Sequence, residues 1–142
     1  MSVTYFAYGA NLDVPAMQAR CPGAIPLQTA ALDGHRLVSM RGGWLSITPD
    51  ADHRVEGLLW TLEASHLAAL DVYEEVAEDL YVHDRRLVEA SDGTMIEALV
   101  YIGTNSGPGS LNQEYAGRVA RAALAVLGAD TASAIRSLAT PG

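Results

Sequence analysis

The sequence contains no lysine, since all nine basic residues of the 142-residue chain are arginines. Without a lysine amine the chain cannot form a Schiff base with a carbonyl substrate, anchor pyridoxal phosphate or build a P-loop. Acidic residues number 17, and the resulting formal net charge of -8 repels polyanions overall. We therefore exclude those three chemistries and expect no nucleic-acid partner.

Cysteine is almost as scarce, because Cys21 is the only one in the chain. One thiol cannot close an internal disulfide or build a cysteine-rich zinc site, which is typical of a reducing compartment. The four histidines show no paired metal-ligand spacing, and no run of eighteen apolar residues or signal-peptide pattern is present. These absences predict a cytoplasmic protein without a metal site and without a membrane partner.

The chain does contain enough apolar material for a packed core. Hydrophobic residues make up 49% of it and charged residues only 18%, which is unlike a disordered protein. A chain of this length buries roughly two thirds of the surface that it exposes when unfolded. No internal repeat, low-complexity tract or long linker divides the sequence, so we expect one domain over residues 1–142.

The N-terminal half alternates β-prone runs with helical segments. Residues 3–8 predict a strand that stops at Gly9, and a short helix follows with Asp13 as N-cap and Pro15 in its first turn. Apolar spacing predicts a further helix over about residues 64–75. The other predicted strands cover residues 24–40, with a break at Asp33 and Gly34, residues 44–48 and residues 55–62.

The C-terminal half predicts a β-hairpin and two helices. The hairpin joins residues 80–90 to residues 94–103, and a capping-box pattern of Ser110 with Gln113 precedes a helix that stops at Gly128. A second short helix is expected after residue 130. Because strands and helices do not alternate regularly, we expect an α+β fold with a mixed, mainly antiparallel sheet or small barrel and flanking helices.

The loop after the first strand is the first candidate for a binding site. In Tyr8-Gly9-Ala10-Asn11-Leu12, glycine and small residues let consecutive backbone N–H groups face a cavity. The helix that follows would add a favourable field for an anion such as a carboxylate. The alternative is an ordinary strand-to-helix turn, which the spacing alone favours.

The second candidate is a carboxylate near the end of the central helix. In a regular helix Glu74 continues the side formed by Leu67 and Leu70, whereas Glu75 points away from it. A half-buried carboxyl has a raised pKa and can act as a general acid or base, but a solvated one is poor at this. Periodicity leaves both alternatives open for Glu74, and for Glu75 we expect a solvated helix end.

Several segments together resemble the γ-glutamylcyclotransferase family, whose superfamily also holds γ-glutamylamine cyclotransferases and plant AIG2-like proteins. YFAYGANL at residues 5–12 is similar to the family's YFAYGSNL, and GLLW at 57–60 to its G-x-x-W strand. LDVYEEV at 70–76 is similar to its L-D-x-x-E-G-V segment. The similarity continues through the hairpin to Tyr115, and so it covers most of the chain.

The resemblance implies a role for particular residues. Glu74 matches the family's catalytic glutamate, while Ala10 and Glu75 depart from the family's usual serine and glycine. Ala10 loses a hydroxyl but keeps its backbone N–H, and Glu75 alters the helix end and the charge beside Glu74. The substrate-binding residues implied are Tyr5, Phe6, Ala7, Tyr8, Gly9, Ala10, Asn11 and Tyr115.

The reaction implied by the resemblance is internal aminolysis, within glutathione metabolism. The α-amine of a γ-glutamyl group attacks its own γ-amide carbonyl, which releases an amine and 5-oxoproline without a cofactor. Glu74 would move the protons, and loop N–H groups would hold either the α-carboxylate or the developing oxyanion. Alternatives are a γ-glutamylamine cyclotransferase or a non-catalytic small-molecule-binding relative, and a homodimer stays an open alternative to the monomer.

Overall fold

The structure is a computed structural model that describes residues 2–139, in which five strands are flanked by four helices. The strands are β1 (Ser2–Ala7), β2 (Ile25–Ser39), β3 (Leu45–Glu63), β4 (Tyr81–Ala90) and β5 (Met95–Gly103). The helices are α1 (Val14–Arg20), α2 (Ala64–Tyr73), α3 (Gln113–Val126) and α4 (Ala129–Ser137). Within residues 2–139, none of the helices has the length and apolar character that crossing a membrane requires.

The five strands form a closed barrel in the order β1-β3-β2-β4-β5. Neighbouring strands pair antiparallel except β1 and β5, which run parallel with Tyr5 opposite Leu99. This confirms the predicted α+β class and the small-barrel form of it. Because β1 and β5 run parallel, both end at the same end of the barrel, and the antiparallel β4 begins there.

Strands β2 and β3 are longer than the sequence predicts. The break expected at Asp33 and Gly34 is a register shift within the β2–β3 pairing, where Gly34 has a φ of +74° and the strand continues. The two strands predicted over residues 44–48 and 55–62 are parts of the single strand β3. Pro49 and Arg54, on either side of the polar residues between them, pair with His35 and Asp33 of β2, and local sequence patterns do not record this pairing.

Two helix boundaries also differ from the prediction. The N-cap of α3 is Asn112, not Ser110, and the side chain of Gln113 donates to the Ala139 carbonyl at 2.9 Å instead of forming a capping box. A capping box does form at the start of α2, between Glu63 and His66. The helix predicted over residues 64–75 ends at residue 73, since the chain leaves the helix there.

The interior of the barrel is packed around a glycine that the β1–β3 pair requires. Phe6 and Trp60 are fully buried. A Cβ atom at Gly57 would collide with the Ala7 carbonyl oxygen and would lie 2.7 Å from ring carbons of Phe6. Only glycine lets the Phe6 ring lie across β3 at this point.

We expect Gly57→Ala to lower the free energy of unfolding by about 1–3 kcal/mol, because the colliding carbonyl belongs to a paired strand and cannot move aside. Gly117→Ala in α3 is the matched control, since its Cβ would meet only the end of the Arg121 side chain at 3.4 Å. It should raise the free energy of unfolding by about 0.5–1 kcal/mol. Urea unfolding measures both, and equal effects would contradict the packing argument.

Candidate active site

A cavity of about 240 Å³ lies at the end of the barrel where β1 and β5 end and β4 begins. The loop after β1, the start of β3, the turn after α2 and the first turn of α3 complete its walls. Its lining residues are Tyr5, Tyr8, Gly9, Ala10, Asn11, Trp44, Leu45, Tyr73, Glu74, Glu75, Leu80, Tyr81, Tyr101 and Tyr115.

Seven of the nine site residues named from the sequence line this cavity, and two do not. Phe6 is fully buried against Gly57, and Ala7 pairs with Leu58 in the β1–β3 ladder. Because side chains alternate along a strand, Phe6 cannot face the same side as its neighbour Tyr5. The structure therefore places Phe6 and Ala7 in the core, where they support the loop rather than border the cavity.

Glu75 also lines the cavity, which the regular-helix interpretation did not predict. The chain leaves α2 after Tyr73, and Glu75 adopts the left-handed conformation with φ 52° and ψ 46°. This turn brings Glu75 toward the cavity, where a continued helix would have carried it away. The conformation is unstrained for glycine but costs other residues about 1–2 kcal/mol.

Glu74 occupies the C-cap position of α2, where its N–H donates to the Leu70 carbonyl at 2.8 Å. Its side chain is partly buried, and no hydrogen bond reaches its carboxylate from residues 2–139. Burial raises the pKa of Glu74 to about 7, although the positive charge of Arg20 opposes the shift. A carboxyl with such a pKa can accept and return a proton near neutral pH.

Five tyrosines surround this carboxyl. Burial raises the pKa of each of them, and the negative charge of Glu74 adds to the effect in all five. They are Tyr5, Tyr8, Tyr81, Tyr101 and Tyr115. Their hydroxyls therefore stay protonated and neutral, so the cavity offers hydrogen-bonding groups that do not titrate near neutral pH.

Three of these hydroxyls donate their protons to the protein. Tyr8 donates to the Tyr101 carbonyl at 2.6 Å, and Tyr81 donates to the Leu45 carbonyl at 2.5 Å. The hydroxyl of Tyr101 donates to a carboxylate oxygen of Asp71, also at 2.5 Å. Toward a ligand, these three oxygens can act only as hydrogen-bond acceptors.

The other two hydroxyls accept hydrogen bonds from the protein. Tyr5 accepts from the side-chain amide of Asn11 at 2.9 Å, and Tyr115 accepts from the N–H of Leu45 at 3.4 Å. No acceptor among residues 2–139 takes the proton of either hydroxyl. Among these five tyrosines, Tyr5 and Tyr115 are therefore the two with a proton available for a ligand.

The loop after β1 also contributes backbone N–H groups to the cavity. In the described part of the chain, the N–H groups of Gly9, Ala10 and Asn11 donate to no other protein group. Gly9 has a φ of -128°, so its importance is space and not a left-handed conformation. A Cβ there would lie 3.6 Å from the Tyr115 hydroxyl, inside the cavity.

Helix α1 begins with the N-cap that the sequence predicts. The side chain of Asp13 accepts from the N–H of Ala16 at 3.2 Å, which satisfies the first turn with the predicted N-cap. The cavity is bordered by the loop that precedes α1, and α1 is one turn further along the chain. Within residues 2–139, no three His, Cys, Asp or Glu side chains are grouped to hold a metal ion.

Fold and cavity together define a small five-stranded barrel with a tyrosine-lined site around one glutamate, and comparison with known sequences identifies the class. The sequence model of the family described as gamma-glutamyl cyclotransferase, AIG2-like, matches residues 5–120. The chain therefore belongs to this gamma-glutamyl cyclotransferase, AIG2-like family, as the resemblance implied.

Individual relatives show the same family. The chain is 30% identical over 114 residues to the gamma-glutamylcyclotransferase of Bos taurus and, over the same length, to that of Homo sapiens. Each match covers 73% of this chain and 61% of the relative. The chain thus spans about three fifths of the length of the curated relatives that it matches.

Solved structures support the fold. A gamma-glutamyl cyclotransferase structure superposes with a TM-score of 0.89 at 24% identity, over 100% of this chain and 90% of that one. A yeast gamma-glutamyl cyclotransferase specific to glutathione superposes with a TM-score of 0.62 at 12% identity, over 97% and 95% of the two chains. The barrel and its flanking helices are therefore the fold of this family.

The raised pKa of Glu74 predicts that this residue destabilises the fold when it is ionised. Its folded-state pKa of about 7 lies above the unfolded value, so ionisation above neutral pH favours the unfolded chain. Glu74→Gln should therefore raise the free energy of unfolding by about 1–3 kcal/mol at pH 8, with a difference that fades toward pH 4. Urea unfolding at both pH values measures it, and a pH-independent difference would contradict the assignment.

Proposed function

We propose that the protein converts a γ-glutamyl amino acid or a related γ-glutamyl conjugate into 5-oxoproline and a free amine. The observation that carries the proposal is Glu74, a carboxyl with a pKa of about 7 inside a cavity lined mainly by neutral hydrogen-bonding groups. Membership of the gamma-glutamyl cyclotransferase, AIG2-like family supports the reaction type.

The proposed reaction needs one group that moves protons. The Glu74 carboxylate takes a proton from the α-ammonium of the substrate, and the freed amine attacks the γ-amide carbonyl carbon to form a C–N bond. The tetrahedral intermediate carries its negative charge on the former carbonyl oxygen. The ring nitrogen still has one proton more than the product lactam. Glu74 returns the first proton to the leaving nitrogen, whose bond to carbon breaks as the carbonyl re-forms, and the extra proton of the ring nitrogen passes through Glu74 to the released amine, which leaves 5-oxoproline and an ammonium ion.

The rest of the cavity positions the substrate. Both reacting groups belong to one molecule, so the main task is to hold the γ-glutamyl chain in its ring-closing conformer. Backbone N–H groups of Gly9 and Ala10, with the hydroxyl protons of Tyr5 and Tyr115, are suited to hold its anionic oxygens. All of these groups come from the described cavity lining.

Glu75 favours a second candidate, a γ-glutamylamine cyclotransferase. Apart from the tyrosines, Glu74 and Glu75 are the ionisable side chains in the described cavity lining, and no cationic side chain is among them. A leaving amino acid carries a carboxylate, which the negative charge of Glu75 would repel. A simple amine has no carboxylate, and a diamine would add a favourable positive charge.

The first prediction for activity concerns Glu74. Glu74→Gln should lower kcat by about 10²-fold or more, the usual size of a general acid–base effect, without unfolding the protein. Formation of 5-oxoproline from a γ-glutamyl dipeptide and a γ-glutamylamine measures it. In the unsubstituted protein, kcat/KM should rise with pH through an acid limb near pH 7, as the base of the free enzyme ionises.

Glu75→Gln is the matched control, because it removes the neighbouring carboxylate and keeps its size. It should leave the acid limb in place and lower kcat by much less than Glu74→Gln. A larger loss from Glu75→Gln would move the proton transfers to that residue. Absence of 5-oxoproline from every γ-glutamyl substrate would support a non-catalytic binding protein instead.

The second prediction for activity concerns substrate choice. Glu75→Gln should raise kcat/KM for γ-glutamyl dipeptides and glutathione relative to γ-glutamylamines, by about 3- to 10-fold for one nearby charge at an exposed site. The ratio of the two kcat/KM values, measured at low and high salt, gives the result. The effect should shrink at high salt because exposed charges are screened. An unchanged ratio would remove Glu75 from substrate selection.

A further inference from the structure

We propose that Arg20 and Asn11 are positioning residues that fix the hydroxyl of Tyr5 as a hydrogen-bond donor to a negatively charged oxygen of the bound γ-glutamyl group. The proposal rests on the proposed function for the identity of the ligand. The direction of the hydrogen bonds comes from the geometry alone.

The orientation of the Asn11 side chain is set by Arg20. A guanidinium can only donate hydrogen bonds, so the amide atom that contacts it must be the oxygen. Nη1 of Arg20 donates to Oδ1 of Asn11. Asn11 is 1% exposed, so the reversed amide would place two donors against each other without water to relieve them.

This orientation decides what the Tyr5 hydroxyl can do. With its oxygen held by Arg20, Asn11 turns its NH₂ group to Tyr5 and donates to the hydroxyl oxygen at 2.9 Å. The hydroxyl proton of Tyr5 cannot return along the same bond, and residues 2–139 offer it no acceptor. Tyr5 is 4% exposed and lines the cavity, so a ligand is the partner left for this proton.

Arg20 is itself held in place. Its guanidinium carbon lies 3.6 Å from the centroid of the Tyr73 ring, at the end of α2 next to Glu74. This cation–π contact and the bond to Asn11 connect α1, the loop after β1 and the end of α2. The guanidinium therefore orients a group on each side of the cavity without lining the cavity itself.

The result is a cavity in which some hydroxyls are hydrogen-bond donors toward a ligand and others are acceptors. Tyr5 and Tyr115 have protons to donate, whereas Tyr81 and Tyr101 have already donated theirs to the protein. A γ-glutamyl group carries an anionic α-carboxylate and a cationic α-ammonium, which need donors and acceptors respectively. The Asn11 amide thus decides which side of the cavity binds the anionic oxygen.

The hydrogen bonds from Arg20 through Asn11 to Tyr5 are called the relay below. Asn11→Asp tests this relay because it reverses one hydrogen bond and nearly keeps the shape of the side chain. The new carboxylate still pairs with Arg20, but it accepts the Tyr5 proton that the ligand would otherwise receive. We expect Asn11→Asp and Tyr5→Phe each to lower kcat/KM about 10- to 100-fold, the range for a hydrogen bond to a charged group. The double variant should lose no more than either single variant.

The two single variants and the double variant form a double-mutant cycle. It is measured by 5-oxoproline formation at about pH 9, where Glu74 is ionised, and a thermal melt of every variant checks its folding. Gln18→Glu adds the same charge at an exposed position of α1 and is the matched control. It should leave kcat/KM unchanged. If Asn11→Asp does not fold, Arg20→Gln replaces it in the experiment. As a single substitution it should lower kcat/KM several-fold, and when added to Tyr5→Phe it should lower kcat/KM no further.

Affinity for 5-oxoproline, measured by calorimetry in the same variants, identifies the anionic oxygen. Weaker binding with a raised KM assigns the α-carboxylate, whereas unchanged binding with a lowered kcat assigns the oxyanion of the tetrahedral intermediate. Both outcomes support the relay. Additive losses, or a variant cycle in which kcat/KM and binding do not change, would overturn it.

The same measurements separate failure of the relay from failure of the proposed function. An active protein with additive losses overturns the relay alone. An inactive protein that binds 5-oxoproline overturns the proposed turnover. The affinities of the same variants for 5-oxoproline then decide whether the relay exists. A protein that neither reacts with γ-glutamyl substrates nor binds 5-oxoproline overturns both.

Discussion

The parallel pairing of β1 with β5 closes the barrel and creates the end at which the cavity lies. Tyr5 pairs with Leu99 across this seam, and the rings of Tyr5 and Tyr101 meet edge to face with centroids 5.8 Å apart. The Tyr8 hydroxyl crosses the same seam to the Tyr101 carbonyl. Because these groups come from opposite ends of the barrel sequence, the site exists only when the whole barrel is closed, and its assembly requires long-range loop closure.

Within that closed end, the buried carboxyl of Glu74 lies among tyrosine hydroxyls and backbone N–H groups that do not titrate near neutral pH. Hydroxyls and backbone N–H groups can hold a zwitterionic ligand without changing charge, whereas arginine or lysine in the lining would lower the pKa of Glu74. Arg20 exerts that influence from behind Asn11, where it opposes burial only in part. The burial that suits Glu74 to proton transfer also destabilises its ionised form, so stability and reactivity at this position are opposed.

Sequence patterns predict the features that depend on neighbouring residues and miss those that depend on distant ones. The N-cap at Asp13 and the hairpin turn around Gly93 follow from local chemistry, and both form. Both parts of β3 pair with the same strand β2 on either side of a register shift, which periodicity cannot show, so the sequence pattern divides β3 in two. Helical spacing leaves open whether Glu74 is half-buried or solvated, and the hydroxyl directions of Tyr5 and Tyr101 depend on partners from other elements.

The two departures from the family pattern have different physical consequences. Ala10 removes a hydroxyl from a loop that still presents backbone N–H groups without a partner among residues 2–139. Glu75 places a charge in a left-handed conformation that glycine would adopt without strain. Its side chain makes no hydrogen bond or ion pair within residues 2–139, so no stabilising contact there offsets the strain. Backbone strain that no local contact offsets is typical of a functional position, and this supports the proposed role of Glu75 in substrate choice.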